Sequence, residues 1–193
     1  MYRFLVIVNS MKAITYDKYG PPDVLRIQEV QKPTPKDNEV LIKIYATTVN
    51  RTDCGFRSAQ YFITRLITGL IKPKRPIAGS EFAGKVVETG ASVRNYKVGD
   101  KVFGFEDVRS GAHAEYMTQA ADGSMAKIPK GFSYQEVAPA GEGATYALNY
   151  IKSAGIEQGK KVLVYGASGA IGSAGVQLLK SINAEVTAVC GTK

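Results

Sequence analysis

Residues Lys161–Gly172 read KVLVYGASGAIG, and the order of their parts decides the fold around them. Val162-Leu163-Val164 is an unbroken apolar run, the pattern of a strand buried on both faces of a parallel sheet. It leads straight into Gly166-Ala167-Ser168-Gly169-Ala170-Ile171-Gly172. From there Ile171, Gly175, Leu178, Leu179 and Ile182 recur at spacings of three and four, which predicts an amphipathic helix. Strand, glycine turn and helix form the opening of a dinucleotide-binding βαβ unit, and Val186–Val189 supplies its second strand. In this reading Gly169 lets the backbone approach a pyrophosphate and Gly172 lets the helix sit tightly on the strand. The helix N-terminus offers unpaired N–H groups and a positive dipole end to the phosphates. Against G-x-G-x-x-G, Ala167 stands in place of the first glycine, with Gly166 one position earlier.

Upstream, residues 11–135 read as many short strands broken by turns. Ala13–Tyr16 and Leu25–Val30 flank Gly20-Pro21-Pro22-Asp23, where proline fixes φ. Val40–Val49 alternates Val40, Ile42, Ile44 and Ala46 against Leu41, Lys43, Tyr45 and Thr47. Phe82–Glu88, the segment Tyr96–Gly104 and Ala112–Thr118 complete the set, which predicts a small barrel-like β domain. Phe56–Ile71 interrupts it with Phe62, Ile63, Leu66, Ile67, Leu70 and Ile71 at helical spacing. That segment reads either as a helix covering the barrel or as a mobile lining of an apolar substrate mouth. The composition shifts near Phe132–Glu136, and a helix with Tyr146, Ala147, Tyr150 and Ile151 on one face opens the α/β part. The expected domains are therefore 11–135 and 136–193. Residues 1–10 read as an extension before the natural-looking start Met11-Lys12-Ala13, or else as an extra edge strand.

Composition narrows the classes. A hydrophobic share of 45% suits a globular protein, and no run of about 18 apolar residues is present to span a membrane. Cys54 and Cys190 stand too far apart in sequence for a disulfide framework or a C-x-x-C knuckle, so a reducing cytoplasm is the expected setting. The net charge of +8 is spread along the chain rather than interleaved with aromatics. Neither a nucleic acid nor a membrane is expected as a partner.

The segments MKAITYDKYGPPDVLRIQEV, VNRTDCGFR, GSEFAGKVVETG, YKVGDKVFGF, GAHAEY and VLVYGASGAIGSAGVQLLK occur in one order over residues 11–193. In that order they resemble the medium-chain dehydrogenase/reductases, and most of all the zinc-free quinone oxidoreductase branch. The resemblance implies a fold that is α/β plus β, with a GroES-like β-barrel domain followed by the first half of a Rossmann dinucleotide-binding domain and catalysis between them. Zinc relatives carry a Cys and a His where this sequence has Asn50 and Ser80, and Cys54 is displaced from the ligand position. No metal is expected, and His113, the single histidine, is expected to pack or lie at the surface.

Without a Lewis acid to polarise a carbonyl, an acceptor that is already electron-poor becomes the expected substrate: a quinone or an α,β-unsaturated carbonyl. The alternatives are a zinc-type alcohol dehydrogenase relative, and an inactive fragment that only binds a nucleotide or a partner. The resemblance implies Asn50 at the nicotinamide end, while Tyr45 and Tyr61 are either proton donors or packing residues. The expected catalytic residues are Asn50 and Tyr61. The expected cofactor contacts are Asn50, Thr145, Gly166, Ala167, Ser168, Gly169, Ala170, Ile171, Gly172, Thr192 and Lys193. NADPH is the expected cofactor, because no acid follows the second strand, where NAD-specific folds place one, and Thr192 and Lys193 stand there instead. Lys193 reads equally as a solvated terminal residue. Relatives continue well beyond this point, so two strands are expected to leave an unpaired edge and little activity in the chain alone. The intact form is expected to be a homo-oligomer.

Overall fold

In the computed structural model, residues 9–106 and 111–191 are described, and they fall into two compact units that divide between Ala138 and Pro139. The first unit opens with an antiparallel hairpin, β1 (Ser10–Thr15) and β2 (Arg26–Gln31), in register from Ser10 opposite Gln31 to Thr15 opposite Arg26. A single 3₁₀ turn at Pro22–Val24, with proline at its first position, reverses the chain between them. The main sheet is antiparallel and five-stranded. Its strands are β3 (Glu39–Thr47), β4 (Glu81–Thr89), β5 (Lys101–Phe105), β6 (Tyr116–Ala120) and β7 (Met125–Lys127), ordered β6-β3-β4-β5-β7.

The core of this unit lies on β3 and β4. Val40, Ile42, Phe82, Val86 and Val102 have no measurable exposure and pack with Ala112 and Met117. The alternation expected along β3 holds only from Lys43 onward, because Val40, Leu41 and Ile42 are buried in succession. Register shifts between Leu41 and Ile42 and between Ile44 and Ala46 bend the strand there, as bulges do. The strand expected at Ala112–Thr118 starts later, at Tyr116. Its first residues instead bridge to the hairpin, with Ala114 opposite Ala13 and the Ile14 N–H donating to the His113 carbonyl.

The single helix-spaced run at 56–71 resolves into two helices, α1 (Arg51–Ser58) and α2 (Phe62–Thr68). Ala59 ends α1 in the left-handed region at φ 42°. No residue of α2 is buried, and its apolar side chains do not pack on the barrel. A short helix, α3 (Tyr134–Val137), lies against β3 and β4.

The second unit holds α4 (Ala140–Ser153), β8 (Lys161–Tyr165), α5 (Ala170–Ser181) and β9 (Glu185–Val189). The two strands pair in parallel, Lys161 opposite Glu185 through Tyr165 opposite Val189. Small residues bring α4 and α5 together: Gly175 comes within 3.8 Å of the Ala147 Cβ, counting from where its own Cβ would stand. Burial in α4 falls on Gly141, Gly143 and Ala147, whereas Tyr150 of the expected apolar face is 62% exposed. The strand expected to be buried on both faces is not. Val162 and Val164 are half-buried, but Leu163 is 66% exposed and Tyr165 86%, because among the described residues of this unit only two strands and two helices can cover them.

Candidate functional site

Two sets of residues carry chemistry, one in each unit. In the second unit the site is a turn. Gly166 adopts φ +76°, a conformation that side chains with a Cβ rarely accept. Its N–H and that of Ala167 both donate to the Val189 carbonyl, at 2.9 and 3.0 Å, so the end of β9 holds the turn in shape. Gly172 has no room for a side chain: a Cβ there would stand 2.2 Å from the Gly166 oxygen and 2.8 Å from the Ala167 Cα. The close approach it permits is to the turn itself rather than to the strand.

Gly169 differs from its neighbours. It is the N-cap of α5, with φ −77° and ψ 168°, and a Cβ there would meet only the Gly166 oxygen at 3.4 Å. Neither backbone conformation nor packing calls for glycine at this position, so the space beside it is an open cradle. The N–H groups of Ala170, Ile171 and Gly172 begin the helix and by its geometry have no acceptor within it. The first intrahelical bond runs from the Ser173 N–H to the Gly169 carbonyl at 2.8 Å. These donors, the helix dipole and the open Gly169 fit a pyrophosphate. Gly143, which gave no signal in the sequence, abuts this end: its Cβ would stand 2.8 Å from the Ala170 carbonyl oxygen. Thr145 lies on the same helix, and its hydroxyl donates to the Gly141 carbonyl at 2.7 Å. Thr192 and Lys193 lie outside the described residues.

In the first unit the site is a buried polar network. Asn50 caps α1: its Oδ1 accepts from the Asp53 N–H at 2.9 Å, and the Asp53 carboxylate accepts from the Asn50 N–H at 3.0 Å. The Asn50 amide then donates to Ser80 Oγ at 3.0 Å and to Glu81 Oε2 at 3.3 Å. The same carboxylate oxygen accepts from the Thr48 hydroxyl, and the Thr48 carbonyl lies 2.7 Å from His113 Nε2. A carbonyl only accepts, so Nε2 is the protonated nitrogen of His113. Asp53 Oδ2 stands 3.9 Å from that nitrogen. Ser80, Glu81 and Asp53 are all buried, at 0, 4 and 8% exposure.

The sequence placed Asn50 and Ser80 at corresponding ligand positions, and the structure brings them into a direct hydrogen bond. It also adds Asp53, three residues after Asn50 on α1, and Thr48, Glu81 and His113, whose meeting no local spacing signals. Asn50 could donate to a bound molecule only by giving up one of these bonds. Among the described residues no group of three or more His, Cys, Asp or Glu is arranged to hold a metal ion. Tyr61 stands apart from the network as the N-cap of α2, 69% exposed, with no capping bond from its side chain. Tyr45 stacks on Tyr134, ring centroids 4.7 Å apart and planes within 9°. It borders an open groove of about 530 Å³ with Ile44, Val49, His113 and Ala114.

Residues 36–148 match the alcohol dehydrogenase GroES-like domain. The chain is 36% identical over 185 residues to the quinone oxidoreductase of Sus scrofa, covering 95% of this chain and 54% of that protein. It is 33% identical over 184 residues to the 2-methylene-furan-3-one reductase of Solanum lycopersicum, covering 91% and 46%. A mycobacterial protein solved in complex with NADPH superposes with a TM-score of 0.73 at 32% identity, over 95% of this chain and 53% of that one. The chain thus spans about half the length of the curated relatives it matches. With a GroES-like domain that takes in the five-stranded sheet and a strand–glycine turn–helix unit after it, the chain belongs to the medium-chain dehydrogenase/reductase superfamily, among the quinone oxidoreductase homologues.

Proposed function

We propose that this chain carries the GroES-like unit and the pyrophosphate-binding turn of a zinc-independent oxidoreductase that uses NADPH to reduce a quinone or an α,β-unsaturated carbonyl. The observation that carries the reading is the Asn50–Ser80 hydrogen bond at 3.0 Å. A neutral carboxamide and a hydroxyl are not the thiolate, imidazole or carboxylate donors that hold zinc, and here each satisfies the other. Acceptors that spread the incoming charge over their own oxygen need no Lewis acid. The Sus scrofa and Solanum lycopersicum relatives, a quinone oxidoreductase and a 2-methylene-furan-3-one reductase by name, support the same acceptor class.

In this reading the N–H groups of Ala170, Ile171 and Gly172 bind the pyrophosphate beside the open Gly169, and Gly166 with Ala167 shapes the turn. The cofactor when bound supplies the hydride. The mycobacterial complex with NADPH supports the choice of nicotinamide cofactor. Thr192 and Lys193 read the ribose 2′-phosphate, and Thr145 lines the same unit. Asn50 acts as a positioning residue, holding the Thr48–Asn50 segment against Glu81 and capping α1. Tyr61, exposed, is the hydroxyl free to meet an acceptor. The protein works in the cytoplasm, where its free Cys54 and Cys190 stay reduced.

The test combines metal analysis, cofactor titration and turnover. Protein purified without added metal is expected to hold no zinc and to bind NADPH about ten-fold or more tightly than NADH, as a charge-assisted phosphate contact implies. NADPH oxidation by a simple quinone, in a chain extended to the length of the curated relatives, is expected to be indifferent to chelator. The 193-residue chain alone is expected to turn over negligibly. Stoichiometric zinc, or alcohol oxidation lost on chelation, would overturn the reading.

A further inference from the structure

Helix α2 is amphipathic in the wrong sense for the unit that carries it. Its polar side faces inward: Thr64, Arg65 and Thr68 are half-buried and Gly69 is buried. Tyr19 pins that side, with its hydroxyl donating to the Gly69 carbonyl at 2.6 Å and lying 2.8 Å from Thr68 Oγ1. The Arg65 guanidinium sits over the Tyr19 ring at 5.3 Å. The apolar side faces out. Phe62, Ile63, Leu66, Ile67, Leu70 and Ile71 are all exposed, Ile71 to 90%.

Charge on this segment has one sign. Between Asp53 and Glu81 the sequence holds Arg57, Arg65, Lys72, Lys74 and Arg75 and no acidic residue. Arg57 and Arg65 are tied to backbone carbonyls of Gly20 and Ala59, whereas Lys72, Lys74 and Arg75 are exposed and directly follow the apolar face. Apolar side chains beside a cluster of cations match the boundary between acyl chains and anionic headgroups. A second copy is a poor occupant, because the same segment offers no acidic residue between Asp53 and Glu81 to meet these cations.

We propose that residues 62–75 dock this protein on an anionic membrane surface, with the apolar face of α2 entering the headgroup boundary and Lys72, Lys74 and Arg75 on the lipid phosphates. This departs from the sequence-based expectation of no membrane partner. That expectation rested on the lack of a spanning segment, and no helix among the described residues is long and apolar enough to cross a membrane. Surface docking needs none. The proposal is independent of the hydride-transfer reading.

The test is co-sedimentation of the 193-residue chain with vesicles of phosphatidylcholine alone and with about one-third phosphatidylserine. Binding to the anionic vesicles is expected, falling about ten-fold or more in high salt. The exposed double variant Ile67→Glu/Leu70→Glu is expected to lose about ten-fold or more of that binding. Lys72→Glu/Lys74→Glu/Arg75→Glu is expected to lose the preference for anionic vesicles, and circular dichroism checks that each variant is folded. Wild-type protein that ignores anionic vesicles overturns the proposal, as does binding that survives both variants. So does a concentration-dependent dimer broken by Ile67→Glu/Leu70→Glu without vesicle binding, which assigns the face to a second copy.

Discussion

The five-stranded sheet of the first unit and the β8–β9 pair of the second are built from similar apolar runs, yet they end with different cover. On β3, Val40-Leu41-Ile42 is buried throughout. On β8, Val162-Leu163-Val164 has the same character, and Leu163 is two-thirds exposed. An apolar run states what burial a strand can use. Whether it obtains that burial depends on neighbouring strands and helices, and two strands with two helices supply one face's worth.

The sharpest way to break this comparison is a matched truncation. Phe82→Ala, at a fully buried site, is expected to cost about 3–5 kcal/mol of unfolding free energy. Leu163→Ala is expected to stay within about 0.5 kcal/mol, as surface substitutions do. Urea unfolding followed by hydrogen exchange in each unit reads both. A large loss for Leu163→Ala would mean that the open face of β8 is covered in solution.

Within the turn, a second pair sharpens the contrast between packing and access. Gly172→Val forces a branched side chain against the Gly166 carbonyl and is expected to cost about 1–3 kcal/mol in the second unit alone. Gly169→Val, which replaces a favoured N-cap residue, is expected to cost no more than about 1 kcal/mol while raising the Kd for NADPH about ten-fold or more. Equal affinity in Gly169→Val protein, measured by titration, would place the phosphates elsewhere.

The smallest expected effect belongs to the rim of the β unit. Lys127 donates to Asp100 at 2.8 Å, and this bond holds the Asp100 carboxyl below its ordinary value of 3.8. A lowered pKa in the folded state stabilises above the unfolded value and is lost as pH falls through the folded one. Asp100→Asn is therefore expected to cost about 0.5 kcal/mol or less at neutral pH, given the exposed lysine, and nothing in strong acid. Comparing urea midpoints at pH 7 and in acid, a gap that persists below both values breaks the assignment.

What could be read from the sequence follows the range of the physics involved. The turn from Gly166 to Gly172 was legible because its constraints are local: a left-handed glycine, a close approach and a helix start within seven residues. The strands of the first unit were legible from alternation and turn residues, although β7 at Met125–Lys127 was too short to signal itself. The direction of α2 was not legible. Helical spacing says that Phe62, Ile63, Leu66 and Ile67 share a face, but Tyr19, more than forty residues upstream, decides that this face points outward. The network around Asn50 was half legible. Its cap on α1 follows from Asn50 and Asp53 at N-cap and N3, whereas Ser80, Glu81 and His113 arrive from other strands and loops.

The Val189 carbonyl, which accepts from both Gly166 and Ala167, ties the phosphate turn to the last residue of β9. Occupancy of the turn and the lifetime of the strand pair are therefore one equilibrium seen from two ends. A ligand gripping the turn stabilises the pair by RT ln(1 + [L]/Kd), whatever chemistry does or does not follow. The amides from Val186 to Val189 become its reporters: their exchange with solvent slows in step with saturation, so that occupancy is read without any assay of turnover.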